Sequence, residues 1–144
     1  MVSDFKKLKV WQKAHALSLA VDRVSREIRD PRYASLRSQI FRAATSIPAN
    51  IAEGRRQESE KEFARFLRYA LNSASELEYH LILGRDMKAI PEADYISLLD
   101  QTITVRKMLY ALLKRLSLDG NKPNAPVARK RSQPGAGPPT APGR

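Results

Sequence analysis

No cysteine occurs among the 144 residues, which excludes disulfides and thiolate metal sites alike. Histidine is nearly as scarce. His15 and His80 stand apart, and neither belongs to an H-E-x-x-H motif or to the Glu-x-x-His pairs that helical bundles use for di-iron centres. Glu76 precedes His80 by four positions rather than three, and no second pair exists. Aromatic residues make up only 7% of the chain, so no aromatic-rich face for stacking bases is expected. No stretch approaches the roughly 18 consecutive apolar residues of a membrane span, and the N-terminus has no apolar h-region of a signal peptide, because Met1 to Lys9 mixes charges with apolar residues. No phosphate-binding glycine loop or nucleophile elbow is present, since Gly135-Ala136-Gly137 falls in a proline-rich stretch. Together these absences predict a soluble cytoplasmic protein that is not an enzyme and carries no cofactor or metal.

Positive charge is what the chain has in excess. Twenty-six Lys and Arg stand against fifteen Asp and Glu, a formal net charge of +11 with an isoelectric point near 10.3. A balance this basic favours an anionic partner, most often RNA or DNA. From Asp119 onward the charge is +4, so +7 remains on residues 1–118.

Apolar spacing predicts helices throughout, with no strand-like alternation. Val10, Ala14, Leu17, Val21, Val24 and Ile28 recur at intervals of four and three, the seam of a helix packed in a bundle, and Asp30-Pro31 ends it. A second helix is expected from Ala34 to Glu53. Ser59-Glu60-Lys61-Glu62 reads as a capping box opening a third, whose seam runs Phe63, Leu67, Ala70, Ala74, Leu77, Leu81 and Gly84. Pro91 breaks the chain before a fourth, with Tyr95, Leu98, Thr102, Val105, Leu109, Leu112 and Leu116 on one face. The expected fold is all-α, an antiparallel up-down-up-down four-helix bundle over residues 1–118. Residues 119–144 hold six of the nine prolines and four of the six glycines, which predicts a disordered basic tail.

The most unusual segment is Thr45-Ser46-Ile47-Pro48-Ala49-Asn50-Ile51-Ala52-Glu53-Gly54-Arg55. Pro48 lies within the helical pattern and lacks the N–H that Ala44 would receive, so a kink is expected at a cost of about 3 kcal/mol. Asn50 brings an amide beside the apolar face, where it is expected to be buried and bonded to backbone freed near Pro48 or to a neighbouring helix. Gly54 stands where a left-handed C-cap would close the helix. Ser46, Pro48, Asn50, Glu53 and Gly54 thus form a structural motif.

Two surface patterns suggest partners. Lys61, Arg65 and Arg68 follow one another along the third helix, with Arg55 and Arg56 just before it and Arg37 and Arg42 on the second. These seven positions are candidates for phosphate contact, the alternative being a solvated face balanced by neighbouring glutamates. A second apolar row on the fourth helix, Ile96, Leu99, Ile103, Tyr110 and Leu113, marks either a broad core face or a subunit interface.

The stretch Leu36-x-x-Gln39-Ile40-x-Arg42-Ala43-Ala44-x-Ser46-Ile47-Pro48-Ala49-Asn50-Ile51-Ala52-Glu53-Gly54 resembles the hallmark of a bacterial four-helix-bundle family encoded in intervening sequences of 23S ribosomal RNA genes. Phe5-x-x-Leu8-x-Val10-Trp11-x-x-Ala14 is similar to that family's start. Lys61-Glu62-Phe63-x-x-Phe66-Leu67 and Ser73-x-x-Glu76-Leu77-Glu78 are similar to its third helix. The likeness covers residues 5–116. It implies a bundle that assembles into a ring-like homopentamer, related to accessory proteins of diversity-generating retroelements that bind a reverse transcriptase and nucleic acid. Phe41 departs from the family pattern where a second arginine is frequent, and Leu71-Asn72 where Arg-Gly is common. A protein-interaction scaffold is the other function the resemblance leaves open.

Overall fold

The computed structural model describes residues 4–120. Four helices follow in order: α1 Lys9–Glu27, α2 Ala34–Arg55, α3 Glu60–Asp86 and α4 Glu92–Gly120, with 3₁₀ turns at Phe5–Lys7 and Pro31–Tyr33. Connections of four to six residues leave no room for a crossover, so successive helices run antiparallel. α1 packs on α2, α2 on α3, α3 on α4, and α4 closes back on α1, while the backbones of the diagonal pairs stay apart. This is the up-down-up-down bundle that the spacing predicts. α4 continues to Gly120, past the boundary drawn at 118, and the tail expected beyond it lies outside the described residues.

The predicted seams form the core. Ala14, Leu17, Val21, Ile40, Ala44, Ile47, Ile51, Leu67, Ala74, Leu77, Leu81, Leu98, Thr102, Val105 and Leu109 are all essentially inaccessible to solvent. Each fully buried Leu, Ile or Val contributes about 1.5–3 kcal/mol, so burial of the seam holds these helices together far more than helix propensity does. Thr102, the one polar member, donates its hydroxyl to the Leu98 carbonyl at 2.7 Å and leaves no unpaired group behind.

Turn chemistry sets the helix ends. Ser59 Oγ accepts from the Glu62 N–H at 3.1 Å, half of the expected capping box, while the Glu62 carboxylate turns to Arg65 instead. Asp30 Oδ1 accepts from the Arg32 N–H at 2.9 Å.

α2 runs through Pro48 without interruption. The Ala44 carbonyl, which loses its helical donor to the proline, receives the hydroxyl of Ser18 from α1 at 3.1 Å. Ser18 is buried and shares that proton with its own Ala14 carbonyl at 3.2 Å. Removing this donor should leave a buried acceptor unsatisfied. Ser18→Ala is therefore expected to cost about 1–3 kcal/mol in urea unfolding. Pro48→Ala restores the missing N–H, so the same change should cost markedly less in that background. Equal costs in both backgrounds would show that the two residues act independently.

Asn50 differs from expectation. It is half-buried, and its Nδ2 stays within α2, donating to the Ser46 carbonyl at 2.8 Å and to Ser46 Oγ at 3.0 Å. The crossing to the neighbouring helix is made by Ser46, whose hydroxyl meets Ser73 of α3 at 2.8 Å. The reason is positional, since Asn50 lies one turn beyond Ser46 and reaches it before any other helix.

Gly54 is also corrected. It is not a left-handed cap. It is helical and buried, α2 continues to Arg55, and no glycine among the described residues has positive φ. A Cβ built there would stand 2.7 Å from Phe66 Cβ and 3.0 Å from Phe63 Cδ1. Glycine is required by the close approach of α3, not by backbone conformation.

Candidate nucleic-acid interface

Antiparallel pairing gathers the start of α1, the end of α2, the start of α3 and the end of α4 at one end of the bundle. Over residues 4–118, divided at the helix midpoints with Arg106 at the α4 midpoint counted in, that half carries thirteen Lys and Arg against five Asp and Glu, a balance of +8. The opposite half carries eight against nine, a balance of −1. The whole positive charge of residues 4–118 therefore sits where the two ends of the bundle chain meet.

Local geometry shows how the cations are presented. Lys7 from the turn before α1 and Lys9 at its start line a shallow cavity together with Arg115 from the end of α4, on a floor of Leu8, Val10, Met108 and Leu112. Lys61 and Arg68 of α3 line a second one, against Leu113 and Leu116 of α4. Arg56 lies 5.6 Å over the Phe5 ring and Arg55 5.5 Å over Phe63, so apolar surface supports both guanidinium groups.

Of the seven arginines and lysines expected from sequence, five meet at this end: Arg55, Arg56, Lys61, Arg65 and Arg68. Arg65 is engaged already, at 2.8 Å from Glu62 Oε1 and 2.8 Å from the Tyr69 hydroxyl, with its guanidinium over Phe66. The Glu62 hydrogen bond first, then Tyr69, hold its pKa above the ordinary arginine value. Arg42 is exposed on α2, toward the other half. Arg37 is half-buried at the far end and donates to the Ile28 carbonyl, so it closes the α1–α2 turn.

Sequence reasoning missed Lys6, Lys7, Lys9, Lys13, Lys107, Lys114 and Arg115. Their signal was visible as two short runs, Lys6-Lys7-Leu8-Lys9 and Lys114-Arg115, separated by about the whole length of the domain. Only the closure of α4 on α1 makes them neighbours.

A different feature occupies the α1–α2 face. Phe5, Trp11, Leu19, Phe41, Pro48 and Ala49 border a groove of about 590 Å³. Leu19 is 50% exposed and Phe41 44%. Trp11 stacks on His15 at 4.8 Å and meets Phe5 edge-on at 5.1 Å. On α4, Ile96 and Tyr110 are 57% and 59% exposed, whereas Leu99 and Leu113 pack against the core and Ile103 is half-buried. The row expected there thus divides between core and surface. His80 is buried on α3, away from His15. Among the described residues no group of three or more His, Asp or Glu could hold a metal ion, and no helix is long and apolar enough to cross a membrane.

Fold and charge together define a four-helix bundle with one basic end. The sequence pattern of the 23S rRNA-intervening sequence protein matches residues 6–111, and the chain belongs to that family. It is similar to a crystal structure of a protein of unknown function from the S23 ribosomal protein family of Bacteroides thetaiotaomicron. That likeness has 27% identity and a TM-score of 0.69, and covers 73% of this chain and 98% of the other. No curated protein matches the chain.

Proposed function

We propose that the protein is a non-catalytic, homo-oligomeric bundle that binds nucleic acid through its phosphate backbone. The observation that carries this reading is the axial division of charge, +8 at one end against −1 at the other. Phosphate contact needs clustered cations on a rigid support and nothing more. Base reading would need a groove-reading helix motif or a stacking sheet, and the chain offers neither in recognisable form. Binding should therefore be indifferent to sequence. Affinity for RNA and DNA should fall steeply with salt, the slope changing by about 0.7–0.9 for each phosphate neutralised. Absence of binding even at low salt would leave the protein-interaction scaffold, with a reverse transcriptase as one partner to try.

The α1–α2 groove supports self-association, because exposed Leu19, Phe41 and Ala49 border it together with buried Pro48 as one apolar strip rather than as scattered side chains. A pentamer is the form that the family resemblance implies. Phe41→Lys should dissociate the assembly, since it would place a charge in the apolar contact at the cost of desolvation. Ile103→Lys is the matching change on α4. Light scattering on both variants locates the interface, and a wild-type protein that is monomeric at micromolar concentration ends the oligomer reading.

A further inference from the structure

We infer that the α1–α2 groove receives an unpaired base of a single strand whose phosphates lie on the basic end, stacked on His15. The inference rests on the phosphate-binding reading above. A ladder of rings carries it. Arg56 lies 5.6 Å over Phe5, Phe5 meets Trp11 edge-on at 5.1 Å, and Trp11 stacks on His15 at 4.8 Å with the two planes 8° apart. Arg56 belongs to the end with a balance of +8, so the ladder starts among the cations and leads into the groove.

Rings are concentrated at this one place. Of the twelve Phe, Trp, Tyr and His residues in the chain, Phe5, Trp11, His15 and Phe41 border the groove, which makes it the richest surface the bundle offers to a flat ligand. Its volume of about 590 Å³ falls within the roughly 300–1,000 Å³ usual for small-molecule pockets. Trp11 is half-buried and packed against the core, whereas His15 is exposed, so the stack ends on a ring that a base can reach. Leu19 and Phe41, assigned above to self-association, border the half of the groove farther from the cations, and the ladder occupies the nearer half.

The polar groups at the border are engaged elsewhere. Ser18 Oγ donates to the Ala44 carbonyl, Thr45 Oγ1 donates to the Phe41 carbonyl at 3.0 Å, and Asp22 pairs with Arg26 at 3.1 Å. What the groove presents is therefore ring faces. Stacking accepts any base, which keeps binding indifferent to sequence, and it needs bases that are not already stacked in a duplex. A single strand supplies both phosphates and free bases, and a duplex supplies phosphates alone.

The test uses the full chain and DNA probes of about 15 nucleotides: oligo-dT, an abasic strand of the same length, and a duplex. The abasic strand carries the same phosphates without bases. At equal salt, oligo-dT should bind tighter than the abasic strand by a factor on the order of 10, the contribution of one stacked base. Oligo-dT alone should quench the emission of Trp11, the one tryptophan of the chain. His15→Ala should remove most of the advantage of oligo-dT and leave abasic and duplex binding unchanged, with circular dichroism confirming the fold. Equal wild-type affinity for oligo-dT and the abasic strand, unquenched Trp11, or an advantage undiminished in His15→Ala overturns the inference and leaves phosphate binding by the bundle intact. Failure of the wild-type protein to bind any probe at low salt overturns that reading and this inference with it.

Discussion

Gly54→Leu is expected to lower stability by about 3 kcal/mol, enough to reduce Tm by roughly 10 °C for a domain of this size. Helix propensity alone predicts the opposite, since leaving glycine in a helix interior gains up to about 1 kcal/mol. Packing decides the sign. The first atom of any side chain at 54 meets Phe66 Cβ at 2.7 Å, and that atom is fixed to the α3 backbone. Relief would require the two helices to separate, which exposes Ile51, Phe63 and Leu67 between them. Gly84→Ala is the informative contrast. Its new Cβ would meet Ile90 Cδ1 at 2.5 Å and Cγ1 at 2.9 Å, both beyond the Cβ of a single side chain rather than fixed to a helix backbone. The Gly84 change should cost clearly less than Gly54→Ala. Thermal unfolding of all three variants checks this, and a Gly54→Leu protein with an unaltered Tm would remove the close-approach argument.

Charge reversal at the basic end should have the largest effect on binding. Lys7→Glu, Lys9→Glu and Arg115→Glu combined are expected to weaken RNA and DNA affinity by a factor on the order of 10² or more near 0.1 M salt, and to lower the salt slope by about 2–3. The control is the same change of six charges at the far end, with Arg23, Arg26 and Arg29 each replaced by Glu. α1 alone is 19 residues, about 28 Å at 1.5 Å per residue, while the Debye length at 0.1 M is about 10 Å. A polyanion on one end is therefore screened from charges at the other, and the control should lose less than about tenfold. Equal losses in the two triples would mean that net charge alone drives association. None of the six positions is buried, so folding should survive both sets of changes.

The fold was legible because each helix writes its own seam. Leu17, Ile47, Leu77 and Leu109 can be placed in the core from spacing alone, as can the breaks at Pro31 and Pro91. What could not be read depends on atoms brought together from far apart. Pro48 announces an unpaired carbonyl, but the hydroxyl that answers it belongs to Ser18, 26 residues before Ala44. Gly54 satisfies the local rule for a helix stop, and only the position of Phe66 shows that it is a contact point. The cations follow the same logic. A stripe along α3 is visible within one helix, whereas the meeting of Lys7, Lys9 and Arg115 follows from topology. Arg37 looks available for phosphate by residue type alone, until the Ile28 carbonyl is found in front of it.

The bond between Ser18 and Ala44 also fixes how far α1 can slide along α2. Seams of Ala, Leu, Val and Ile are forgiving of slippage, because one apolar knob fits a neighbour's hole nearly as well as the next. Displacement by a single turn, about 5.4 Å, would bring either Ala14 or Asp22 level with the unpaired carbonyl. Alanine has no donor to give, and the carboxylate of Asp22 would face a second acceptor. Only one alignment of the two helices presents a hydroxyl there. The proline that breaks the hydrogen-bond ladder of α2 thus becomes a registration mark, against which the first helix is set.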